Sequence, residues 1–139
     1  MFSCKKFFIT MLSAALVICN TPDVIYAQAA NNDISLYYDI VRQAEASLDI
    51  NGGNAEITIK ITSSLSTYQI NIAYSIQKFA DGKWKAVKTW NKNIDNSLAT
   101  ITNSYNLPSK GKYRIKCNAK VQDKDKTEEI IFFSAEKTY

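Results

Sequence analysis

The chain has 139 residues, of which 46% are hydrophobic; 17 Lys and Arg against 13 Asp and Glu set its net charge at +4, and it contains no histidine. The absence of imidazole removes the general base of Ser-His-Asp and Cys-His nucleophiles and the nitrogen ligand of most zinc sites. Three cysteines and four glycines leave little room for a disulfide framework or a Gly-rich phosphate loop.

The first residues speak for export. Lys5 and Lys6 precede an apolar run from Phe7 to Cys19, then come Pro22 and the small-residue stretch Ala27-Gln28-Ala29-Ala30. This is the order of a secretory signal peptide, and the apolar run is shorter than the roughly 20 residues that a membrane span needs. The expected leader is 1–29, with cleavage after Ala29 or, as the second choice, Ala27. A lipid-modified Cys19 would need a small residue directly before it, where Ile18 stands. No later stretch has transmembrane length, so the expected location is extracellular, released or held loosely at the surface. Loss of Lys5, Lys6 and Asp23 leaves 15 basic and 12 acidic residues, net +3. The remaining chain, about 110 residues, suits one domain with one core. Cys4 and Cys19 leave with the leader, so Cys117 has no intramolecular partner and stability must come from apolar burial.

Residues 30–41 read as a lead-in. They are polar up to about 36, and 35–41 is open between strand and short helix, because Leu36, Ile40, Ala44 and Leu48 also fall four apart. From 42 to 139 the period is two. Ala44, Ala46, Leu48 and Ile50 alternate with polar residues up to "NGGN" (51–54), after which Ala55, Ile57, Ile59 and Ile61 alternate again. Two half-buried strands about a Gly-Gly turn follow from this. Ile70, Ile72, Tyr74 and Ile76 predict a third strand, closed by "ADGK" (80–83), and 84–90 a short fourth, with a loop over 93–97. Ala99, Ile101, Tyr105 and Leu107 predict a fifth. Tyr113, Ile115, Cys117, Ala119 and Val121 predict a sixth, and a seventh begins near Thr127. Seven short strands separated by turn signals predict an all-β sandwich of immunoglobulin type. In phase with apolar neighbours, Cys117 is expected to be a small buried hydrophobe.

"LPSKGKYRI" (107–115) places Leu107 at a strand end, Gly111 in the turn and Tyr113 at the start of the next strand. This resembles the tyrosine corner of immunoglobulin and fibronectin type III domains, and the resemblance makes Tyr113 the corner residue. Ile115 stands where an antibody domain has a cysteine, which favours the disulfide-free, fibronectin-like branch. Together with "YSIQKFADGKWKAVKTW" (74–90) and "SKGKYRIKC" (109–117), the region is similar to small secreted Ig-like proteins of Gram-positive anaerobic bacteria. That resemblance rests on framework residues and implies fold and export, not an activity.

No catalytic constellation, cofactor site or metal site is expected, since the acids are scattered over turns and outward strand positions, and "DKD" (123–125) reads as a hairpin tip. Two surface features remain. Trp84 and Trp90 are an even number of residues apart; Trp84, beside the Asp-Gly turn, reads as structural and Trp90 as the candidate for exposure and ligand contact. Lys112, Arg114, Lys116 and Lys120 share the face of the sixth strand opposite Tyr113 and Cys117, either as a docking row for an anionic partner or as a solvated face paired with Glu128 or Glu129. The expectation is a secreted, non-catalytic binding module whose partner is a cell-wall polymer, a glycan or a surface protein, with nucleic acid not expected. The alternative is a small secreted effector, an antagonistic or toxin-like protein.

Overall fold

Two hairpins with left-handed turns set the architecture. In the computed structural model, which describes residues 40–64 and 69–139, β1 (Val41–Asn51) and β2 (Asn54–Ser63) join through Gly52 and Gly53, at φ 57° and 86°. β3 (Gln69–Ala80) and β4 (Lys83–Asp95) join through Asp81 and Gly82, at φ 54° and 74°. Two consecutive positive φ values match the right-handed twist of the flanking strands, which is why Gly-Gly and Asp-Gly are selected there. β5 (Leu98–Asn106), β6 (Lys112–Gln122), β7 (Thr127–Phe133) and the two-residue β8 (Lys137–Thr138) complete the set.

All pairings are antiparallel. One sheet has the order β1-β2-β5 and the other β4-β3-β6-β7, with β8 pairing β6 beyond the end of β7. With the two-residue β8 as an addition to seven main strands, this is an immunoglobulin/fibronectin type III-like sandwich. Between the sheets lie Leu48, Ile57, Ile59, Ile61 and Ile101 from one side and Ile70, Ile72, Tyr74, Ile115, Val121 and Phe132 from the other, all buried. Alternation by two puts them on inner faces and sends Lys, Glu, Asn and Thr outward. The segment read as a leader, 1–29, and the lead-in up to 39 lie outside the described residues. From Val41 onward the helical alternative gives way to strand β1, whose register shifts between Val41 and Gln43.

One strand is longer than its sequence suggests. In place of a short strand over 84–90 and a loop over 93–97, β4 continues to Asp95, paired with Gln69. Asn91, Asn93 and Asp95 are poor strand formers, which hides the period, but Trp90, Lys92 and Ile94 stay on the inner side opposite Tyr74, Ile72 and Ile70. The regular β3 ladder carries the strand through.

The first and last strands of the sandwich are tied down by specific bonds. Glu128 accepts the Ile40 and Val41 backbone N–H groups on its two carboxylate oxygens, each at 3.0 Å. At the opposite end, Tyr139 and Gly111 exchange backbone hydrogen bonds of 2.9 and 3.1 Å. The Tyr139 ring lies over Gly53, where a Cβ would come within 2.6 Å of the phenol oxygen. Glycine is therefore demanded at 53 twice, by its positive φ and by this approach.

Tyr113 is fully buried and donates its hydroxyl to the Ser109 carbonyl at 2.6 Å. The bond bridges the segment that crosses from one sheet to the other. Tyr113→Phe is expected to lower stability by about 1–2 kcal/mol with an unchanged far-ultraviolet circular dichroism spectrum. An unchanged urea midpoint would show that the bond does not contribute.

Candidate functional site

The broadest platform of the molecule is the outer face of β4-β3-β6-β7. Cross-strand register arranges it in rows: Thr89, Ser75, Lys116 and Phe133; Asn91, Ala73, Asn118 and Ile131; Asn93, Asn71, Lys120 and Glu129. Successive rows are about 7 Å apart, two residues along a strand. At the Asn93 end the face sinks into a shallow, open groove of about 260 Å³. Its floor is the short side chain of Ala73, flanked in register by Asn91 and Asn118; Asn71, Asn93, Lys120 and Glu129 form the rest of the wall.

Four asparagines on three adjacent strands run against strand propensity. None of their side-chain amides bonds to another of the described residues, and Lys120 and Glu129, though directly opposite, form no ion pair. Each amide has one acceptor oxygen and two donor hydrogens, so the groove offers both donors and acceptors, one cation and one anion. That set matches vicinal hydroxyl groups, each of which both donates and accepts.

At the other end of the face stands an aromatic-cationic stack. The Arg114 guanidinium lies 4.3 Å from the centroids of both Trp84 and Phe133, and its Nε donates to the Gln77 side-chain oxygen at 2.9 Å. Phe79, 43% exposed, tilts against Trp84 at 5.2 Å. Burial pushes the Arg114 pKa down, and Glu136 opposes that shift. Held against two rings, the guanidinium is partly desolvated and presents an edge rather than a mobile charge.

The basic row predicted for β6 therefore divides by environment. Lys112 is neutralised by Glu136 at 3.1 Å, Arg114 is clamped, Lys116 is half-buried among Ser75 and Phe133, and Lys120 lines the groove. The expected cross-strand role of Glu128 is corrected, since it turns to the β1 backbone; Glu129 faces Lys120 and not Arg114 or Lys116. The two tryptophans exchange their expected places. Trp90 is on the inner side, stacked on Tyr74 at 5.2 Å and edge-on to Tyr105 at 5.7 Å, and does not share a face with the basic row. Trp84, read as structural, is the one beside Arg114. The bulge between Ile76 and Gln77 is the cause, because it breaks the simple even-odd relation between positions 84 and 90.

The groove asparagines carried no signal that sequence reading used, because 71, 91 and 118 share a face only through non-local pairing. Cys117 is buried, and desolvation pushes its thiol pKa well up, which favours the protonated thiol at neutral pH. Among the described residues no cluster of three His, Cys, Asp or Glu side chains gathers as a metal centre, and no helix is long and apolar enough to cross a membrane. In comparisons with known proteins, no family model and no curated protein sequence matches the chain.

Proposed function

We propose that this protein is a secreted, non-catalytic binding module that takes a polyhydroxylated, negatively charged polymer, of cell-wall or glycan type, along the outer face of β4-β3-β6-β7. The observation that carries the reading is the set of unpartnered amides of Asn71, Asn91, Asn93 and Asn118 around Ala73, next to Lys120 and Lys116. Amides recognise hydroxyls by paired hydrogen bonds, whereas the lysines attract charge over a longer range. The face from Asn71 to Gln77 spans about 20 Å, enough for an extended chain to meet the groove and the Arg114 stack together.

The test is retention of the leader-free protein on cell-wall polysaccharide and acidic glycan at low and high salt. Asn91→Ala with Asn118→Ala is expected to weaken retention about tenfold at both salts, from two or more lost hydrogen bonds. Lys116→Ala with Lys120→Ala should weaken it at 0.1 M salt and little at 1 M, where the Debye length falls from about 10 Å to about 3 Å. Equal retention of wild type and both double variants would remove the face as the ligand site. Inhibition of bystander bacteria by the purified protein, undiminished in the same variants, would favour an effector instead.

A further inference from the structure

A second surface, on the opposite side of the β3-β4 ribbon, concerns the free edge of β5. Strand edges attract other strands unless they are defended by charge, bulges or interruption. β4 carries Lys83, Lys85, Lys88 and Lys92 and a bulge in its pairing. β1 carries Arg42, Glu45 and Asp49 and a register shift, and the β7 edge is broken before β8. β5, "LATITNSYN", has no charge and no proline, and it pairs with β2 through nine positions without a shift.

The hydrogen bonds show which backbone groups of β5 are free. Ser104 N–H is taken by the Asn103 side chain at 2.9 Å, and Leu107 N–H, of the other parity, bonds Gly53 O at 2.8 Å. Antiparallel alternation then points the N–H and C=O of Thr100 and Thr102 away from β2, into the open edge. Asparagine side chains cover the neighbouring outward N–H groups, Leu98 by Asn96 at 3.4 Å and Ser104 by Asn103. Among the described residues, the uncovered stretch is Thr100–Thr102.

Across from that stretch lies the inner face of β4. The sheet opposite has one more strand: β1 packs against β6 and β7, and β5 meets β3 through Asn103 Nδ2 donating to Tyr74 Oη at 3.1 Å. The facing sheet reaches β4 at Trp90, which the Tyr105 ring meets edge-on; among the described residues no strand faces the Lys92–Ile94 part of β4. Its inner side chains Trp90 and Ile94 are half-buried against the rim of the core, and Lys92 between them is exposed and forms no ion pair among the described residues. Tyr74 pairs with Trp90, Ile72 with Lys92 and Ile70 with Ile94, so the free part of β5 is level with an apolar–cationic–apolar row about 10 Å away, one sheet spacing.

We propose that the space between the β5 edge and the inner face of β4 receives an extended peptide of a partner protein, which adds to β5 at Thr100–Thr102 and presents apolar, acidic and apolar side chains at alternate positions to Ile94, Lys92 and the side of Trp90 that Tyr105 leaves open. Main-chain bonds supply the attachment, and the alternate side chains select the partner. A second copy joined β5 to β5 would bring its own β4 into the space that the first β4 fills, so a lone strand is the occupant that fits.

The probes are the synthetic peptides TVTETVT and TVTKTVT, each with blocked ends, added in millimolar amounts to the leader-free protein at low salt and followed by amide hydrogen exchange. TVTETVT should slow exchange at Thr100 and Thr102 about tenfold, and the lysine peptide should bind about tenfold more weakly. Lys92→Glu should reverse that preference. Thr102→Pro, which removes an outward N–H and no ladder bond, should abolish protection by either peptide. Unchanged exchange at Thr100 and Thr102, equal binding of the two peptides to wild type and Lys92→Glu, or protection of these amides by self-association without peptide would each overturn the proposal. The Asn91/Asn118 variant should bind the glutamate peptide normally, which separates this surface from the outer face.

Discussion

Tyr74→Ala should cost about 3–5 kcal/mol of unfolding free energy, the range for deleting a large buried aromatic side chain. Tyr74 is 1% exposed, sits between Cys117 and Trp90 in register, and stacks on Trp90 with an interplanar angle of 18°. Its hydroxyl accepts the Asn103 amide, a polar group on the inner side of β5. Alanine would remove the ring that roofs one end of the core and would also orphan that amide, adding a desolvation penalty to the cavity. Tyr74→Phe separates the two contributions, since it keeps the ring and loses only the bond, for about 1 kcal/mol. Urea unfolding measures both changes. In the alanine variant the Trp90 fluorescence should shift to the red, read in a Trp84→Phe background. A loss below about 1 kcal/mol would mean that the β4 side of the sandwich collapses around the gap instead of leaving a cavity.

What could be read from the sequence was whatever depends on period two and local turn chemistry. The Gly-Gly and Asp-Gly turns, the run Tyr113, Ile115, Cys117, Ala119 and Val121, and the alternation in 55–61 each carry their structural meaning within a few residues. The two-sheet sandwich follows from their number. Less legible were features set by pairing between distant strands. Trp84 and Trp90 are assigned opposite faces by a bulge against β3, and nothing in "KWKAVKTW" marks where it falls. Asn71, Asn91 and Asn118 lie far apart in the chain and form one groove only because β3 pairs with both β4 and β6. A basic row was visible on β6, but its division into neutralised, clamped and available cations depends on Trp84 of β4, Phe133 of β7 and Glu136 of the segment between β7 and β8, all brought in by distant pairing.

Glu128 shows the same dependence with a measurable consequence. "TEE" at the start of β7 looks like surface charge, and a carboxylate there was an expected partner for Arg114 or Lys116. Register places Glu128 opposite Val121, on the inner side, where the chain of β1 begins. Both its oxygens accept backbone N–H groups, of Ile40 and Val41, themselves 3% and 1% exposed. A charge-assisted pair of this kind holds β1, a strand of one sheet, to β7, a strand of the other, at a point where no ladder connects them. Glu128→Ala removes both acceptors and is expected to cost about 2–4 kcal/mol, below the roughly 3–6 kcal/mol of two full charge-assisted bonds because the carboxylate is only partly buried. Glu128→Gln keeps one carbonyl oxygen and should lose about half as much. Hydrogen exchange distinguishes a local effect from a global one: the amides of Ile40 and Val41 should become the fastest-exchanging of the β1 region in Glu128→Ala, while Ile57 and Ile59 in the adjacent β2 follow only the change in global stability. Equal acceleration along β1 and β2 would mean that the carboxylate acts on the whole sandwich rather than as a clamp at the start of its first strand.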